Sequence, residues 1–169
     1  MTAPAQLLIL RHAKAGHAFD GDDAARTLTD RGADQARTVG RRLADEGFHA
    51  DHIICSDAMR TRQTAVWVCH ELGEDASTPY LDPRLYLADP ATMLAVINET
   101  PETVRTLLVV AHMPGVQELS MRLAAPESEE DPVLRMAGSF PTSGLARFEV
   151  DGPWAELDGR DARLTDFWD

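Results

Sequence analysis

Thr106-Leu107-Leu108-Val109-Val110-Ala111-His112 is the stretch on which the fold turns. Five consecutive apolar residues, Leu107 to Ala111, run straight into an imidazole. A half-exposed strand alternates apolar and polar residues, whereas an unbroken apolar run suits a strand buried on both faces of a parallel sheet. Working outward, the same form recurs at Leu7-Leu8-Ile9-Leu10, which runs into Arg11-His12, and more briefly at His52-Ile53-Ile54-Cys55-Ser56. Residues 144–150 and 162–168 read as two closing strands. Helical patterns lie between the strands. Gly32 to Gly47 places Ala36, Val39, Leu43 and Ala44 on one face and ends at a capping glycine. Ala58 to Leu72 places Met59, Val66, Cys69 and Leu72 together and closes at Gly73. A proline-punctuated connection (78–90), a short helix (91–99), a helix over 115–124 and an acidic turn or loop (126–132) complete the pattern. Strand–helix alternation predicts an α/β fold: a single domain over residues 1–169, with a mostly parallel sheet and helices on both faces.

Composition narrows the function. A chain of 169 residues, 44% hydrophobic and 26% charged, can bury a core without disulfides or metals. Its net charge of −12 argues against a nucleic-acid or membrane-surface partner, since both need a cationic face. Cys55 and Cys69 read as buried free thiols. Met1 to Gln6 carries no signal-peptide pattern, and no apolar run could span a bilayer, so the expected location is cytoplasmic. His17, His49, His52 and His70 form no H-x-H or H-E-x-x-H pattern, so no metal site and no cofactor is expected.

In open α/β sheets ligands bind beyond the carboxyl ends of the strands. Three apolar runs end there in Arg11-His12, Cys55-Ser56 and Ala111-His112, and Arg60 falls in the first turn of the following helix. Taken singly, either histidine reads as a structural residue and Arg60 as a solvated charge. Taken together, two imidazoles and two guanidiniums face one edge, with no acidic residue obviously placed to neutralise them. Forked cationic donors suit phosphate.

The segments "LRHAKA", "LTDRGADQA", "CSDAMRTRQTA" and "VVAHMPG" resemble, in order and spacing, the histidine phosphatase superfamily with its phosphoglycerate-mutase-like fold. The resemblance runs from about Leu7 to Leu123. The small size, the Arg-His-Ala-Lys start and the His-x-Pro-Gly segment are most similar to SixA-like phosphohistidine phosphatases. The resemblance implies that His12 is the nucleophile and that Arg11, Arg60 and His112 surround the phosphoryl oxygens. Ser56 either positions its turn or donates to phosphate. Such chemistry needs a neutral His12 with one ring nitrogen free and the other donating to a carbonyl. Two arginines and a histidine would stabilise the transferred group without a metal. Thr29 and Gly32 are expected only to start a helix.

Two positions depart from the family. Ala13 stands where glycine is common, a change expected to be tolerated. Leu87 stands where many phosphomonoesterases of the superfamily carry a glutamate general acid, leaving Asp82 and Asp89 as nearby carboxylates. A missing acid fits an N–P bond better than an ester, because a phosphohistidine ring can collect its proton from water. The expected activity is therefore a metal-independent phosphatase that forms phosphohistidine on His12 and acts on a phosphohistidine-bearing partner protein. The alternatives are a small-molecule phosphomonoesterase using Asp82 as acid, and a non-catalytic phosphate-binding regulatory protein.

Overall fold

The apolar runs become strands of one six-stranded sheet in the computed structural model, which describes residues 2–18 and 20–169. The strands are β1 (Ala5–Arg11), β2 (His52–Cys55), β3 (Tyr80–Leu81), β4 (Thr106–Ala111), β5 (Leu145–Val150) and β6 (Ala162–Trp168). They lie in the order β3-β2-β4-β1-β5-β6. β4 pairs in parallel with both β1 and β2, and only β5 runs against its neighbours. The mostly parallel α/β architecture is the one expected.

Successive residues of the central strands feed opposite cores. Leu7, Ile9, Leu107 and Val109 pack with α3 (Pro90–Asn98), α4 (Gly115–Leu123) and α5 (Glu130–Gly138). Leu8, Leu10, Leu108 and Val110 pack with α1 (Asp30–Asp45) and α2 (Met59–Leu72). Each such buried side chain contributes roughly 1.5–3 kcal/mol. That is enough to anchor strands whose tips carry desolvated polar groups.

The helices differ from the sequence reading in informative ways. α2 buries Arg60, Thr61, Thr64, Ala65 and Val68, while Val66 is exposed. The apolar stripe misreports this helix because its inward face carries hydrogen-bonding residues. On α1 it is Gly40, rather than Ala44, that completes the buried face, since a close crossing with α2 admits only a small residue there. The acidic segment 126–132 is partly helical: Glu130 and Asp131 open α5, where anions suit the helix N-terminus and Pro132 loses no internal hydrogen bond. The connection at 78–90 holds β3, a two-residue edge strand. Among the described residues no helix is long and apolar enough to cross a membrane. Both cysteines are free.

Register fixes the functional edge. Arg11 lies opposite Ala111, and Val110 opposite Cys55. His12, Ser56 and His112 therefore leave the sheet side by side. β4 arrives late in the chain yet inserts between β1 and β2, which makes this edge a reversal point of strand order.

Candidate active site

His12 Nδ1 lies 2.7 Å from the carbonyl oxygen of Ala13. A carbonyl can only accept, so Nδ1 carries the proton and Nε2 keeps its lone pair. Burial lowers the His12 pKa to about 4, with the charges of Arg60, Arg11 and Arg26 adding to the effect and the Ala13 bond opposing it. At neutral pH His12 is an uncharged imidazole with a free nitrogen.

The His112 ring sits 5.4 Å from the His12 ring, centroid to centroid. Its Nε2 is 2.7 Å from Ser56 Oγ, which also accepts the Ala58 N–H at 3.4 Å. That hydroxyl can give its single proton to Nε2, leaving Nδ1 as the ring N–H. Burial, then the nearby Arg60 and His12, lower the His112 pKa to about 3. Arg60 is 2% exposed in the first turn of α2, whose N-cap, Ala58, offers no side-chain hydrogen bond. Arg11 donates from Nη1 to Phe140 O at 2.9 Å. Arg11 Nε, Arg60 Nε and His112 Nδ1 are buried and find no partner among the described residues. An unsatisfied buried donor costs about 1–3 kcal/mol. Three such groups, with Arg11 and Arg60 acting electrostatically on both imidazoles, make a donor set for a tetrahedral anion.

The expectation that no acidic residue neutralises these cations is corrected by Asp23. This residue opens a single 3₁₀ turn (Asp23–Ala25) in the loop after β1. Arg60 donates to its backbone oxygen at 2.8 Å and to its Oδ2 at 3.0 Å. The Tyr86 hydroxyl donates to the same Oδ2 at 2.5 Å, and Arg26 reaches Oδ1 at 3.1 Å. Tyr86, foremost, and the two arginines hold the Asp23 carboxyl well below the usual carboxylate range. The Tyr86 ring in turn meets His112 edge-on at 5.5 Å. Sequence reasoning passed over Asp23, Arg26 and Tyr86. The available signal was the i,i+3 pairing of Asp23 with Arg26 in the loop that leaves the strand running into His12.

Asp82, the candidate acid, is committed elsewhere. It accepts from Arg84 at 2.8 Å, caps the Pro83–Leu85 turn, and lines a separate cleft with His52, Tyr80 and Glu99. Arg84 lowers its pKa. Asp89 caps α3 through the Thr92 N–H at 2.7 Å, which lowers its pKa too. Both are held ionised and have no proton to give at neutral pH. Leu87 is exposed, with a left-handed backbone (φ 47°).

Other motif residues hold the loops in place. Thr64 Oγ1 accepts the Ala13 N–H at 3.0 Å and donates to Arg60 O at 2.7 Å, tying the residue after His12 to the pocket arginine. Gln63 Oε1 accepts the Leu28 N–H at 2.8 Å. The Ala13 methyl is fully buried without displacing that clamp. Thr29 caps α1 through the Gly32 N–H, as expected, and its own N–H bonds Lys14 O at 2.9 Å. A Cβ on Gly32 would lie 2.0 Å from Lys14 O, so "LTDRG" also buttresses the turn that carries the histidine. From the other side, Ser143 N–H donates to His12 O at 3.1 Å.

Comparisons with known proteins point to one superfamily. The model of the histidine phosphatase superfamily (branch 1) matches residues 7–86. An uncharacterized protein of Mycobacterium tuberculosis is 36% identical over 94% of this chain and 98% of its own. Among solved structures, a SixA protein of Nakamurella multipartitia superposes with a TM-score of 0.87 at 26% identity, covering 99% of this chain and 97% of that one. The protein histidine phosphatase SixA in complex with tungstate gives a TM-score of 0.77 at 25% identity, covering 96% and 95%.

Proposed function

The chain belongs to the histidine phosphatase superfamily, with SixA proteins among its similar structures, and on that premise we propose that it hydrolyses phosphohistidine on a partner protein. The reaction passes through a covalent phosphohistidine on His12 and uses no metal ion. The observation that carries this reading is the 2.7 Å bond from His12 Nδ1 to Ala13 O, which leaves Nε2 as the nucleophile. In the first step the Nε2 lone pair forms a bond to phosphorus. The bond to the leaving group breaks, and its electron pair stays with the leaving atom. In the second step water attacks phosphorus, the N–P bond breaks with its electron pair returning to His12 Nε2, and inorganic phosphate leaves carrying the protons of the water. Arg11, Arg60 and His112 Nδ1–H hold the equatorial oxygens, where charge is spread in the transition state. Ser56 acts through His112 as a positioning residue.

The substrate follows from what can leave. An alkoxide needs a proton from the protein, and Asp82 and Asp89 are held ionised while Leu87 has none to give. An imidazole departs neutral without that help. The pair of free thiols suits the reducing cytoplasm.

Rapid quenching with a labelled phosphohistidine protein tests the reading. Wild type should give an acid-labile phosphoenzyme within one turnover, and His12→Ala should give none while remaining folded. Turnover in wild type with no such intermediate would overturn it.

A further inference from the structure

Phosphoryl transfer from one histidine to another is nearly symmetric, and the symmetry puts a demand on the leaving side. On the protein's side, Ala13 O accepts the His12 Nδ1–H and stabilises the positive charge the ring gains when Nε2 takes phosphorus. The departing histidine leaves best when its distal ring nitrogen is protonated, and that N–H needs an acceptor of its own.

Asp23 is the carboxylate placed to serve. It bridges Arg60 to Tyr86, and Tyr86 lies against His112. Its side chain is 42% exposed, whereas that of Arg60 is 3% exposed, so it contacts the buried arginine and still reaches solvent. Among the described residues Oδ2 takes two donors, while Oδ1 takes Arg26 alone, whose Nε is itself bound to Gly16 O. Asp82 and Asp89 are engaged in their own caps.

We propose that Asp23 is a specificity-determining residue whose carboxylate accepts the distal ring N–H of the departing phosphohistidine, favouring imidazole over alcohol leaving groups. This deepens the function proposed above and rests on it. As His12 Nε2 forms its bond to phosphorus, the substrate N–P bond breaks and its electron pair returns to the leaving nitrogen. The distal proton stays on the leaving ring, which departs as neutral imidazole, and Asp23 gains no proton. A phosphate monoester offers no such N–H, so its departing oxygen gains nothing from the carboxylate.

The test compares kcat/KM for a phosphohistidine-bearing protein and for p-nitrophenyl phosphate in wild type and in Asp23→Asn. A charge-assisted hydrogen bond corresponds to roughly a 10- to 100-fold effect. Asp23→Asn should lose about that much on phosphohistidine and hold or gain on the aryl ester. Equal losses on both substrates would mean that Asp23 only holds Arg60, and equal gains that it is only a competing anion. Either result overturns the proposal. Wild-type protein inert on phosphohistidine would instead refute the substrate reading itself, and this inference with it.

Discussion

Two neutral imidazoles beside two guanidiniums make an unusual neighbourhood, and the protonation of His12 and His112 decides whether it can work. Both are buried and both lie in the field of Arg60, which brings their pKa values to about 4 and about 3. Ring resonances of the two residues, followed by NMR in the free protein, should not move between pH 5 and pH 8. A midpoint near the ordinary value of about 6.5 in either ring would show that burial does not control it. Arg60 is tested by geometry as well as charge, because a guanidinium offers a planar fork and an ammonium a single point. Arg60→Lys should lose roughly 10²-fold in kcat/KM, the scale of one transition-state donor. Arg62 is exposed two residues on, and Arg62→Ala should retain wild-type rates. Equal effects at both positions would mean that Arg60 is not a pocket residue. At this scale the sequence was readable wherever a polar residue directly followed an apolar run, which is why Arg11, His12, Ser56 and His112 stood out. Asp23 follows no such run. Its place depends on a loop folding back across 37 residues of separation to reach Arg60, and no local spacing encodes that return.

Among the elements, α2 and the loop from β1 to α1 form one device. Thr64 clamps the backbone beside His12, and Gly32 lets α1 begin almost in contact with Lys14 O. A methyl group at Gly32 has no room, because the obstruction is backbone and not a flexible side chain. Gly32→Ala should therefore cost about 1–3 kcal/mol, the range of overpacked sites, and should slow turnover by shifting the turn that carries His12. Gly138, at the end of α5, meets nothing within 4 Å of a built Cβ. Gly138→Ala should leave activity alone and raise stability by up to about 1 kcal/mol. Urea unfolding of the two variants measures the contrast, and a harmless Gly32→Ala would show that the loop is not braced there. The same helices mark where the sequence reading stopped. Strands β1, β2 and β4 were legible because their apolar runs are short and sharply bounded, and β5 and β6 because apolar residues recur between polar ones in them. The inward face of α2 was not, since Arg60, Thr61 and Thr64 point inward to hold the site and erase the apolar stripe that normally gives a helix its phase.

For the molecule as a whole, the same two histidines tie function to stability. Keeping His12 and His112 neutral means that the folded state refuses protons which the unfolded chain accepts below about pH 6.5. In that range the unfolded state binds more protons, so the free energy of unfolding falls as pH falls. The loss continues until the folded histidines themselves titrate, near 4 for His12 and near 3 for His112. Asp23 works with the same sign in a more acidic range. Its lowered pKa adds stability at pH values above the ordinary aspartate range, and that contribution is lost only under stronger acid. A decline between pH 6.5 and pH 4.5 therefore belongs chiefly to the two imidazoles, at up to about 1.4 kcal/mol per pH unit for each. Urea midpoints taken from pH 7 to pH 4.5 should fall steadily in wild type. His12→Gln keeps a polar side chain of similar size without a titrating ring, and should flatten the slope by about half. A wild-type midpoint that stays constant across this range would mean that both rings accept protons in the folded state as readily as in the unfolded chain, and the site would then lose its neutral nucleophile below about pH 6.5.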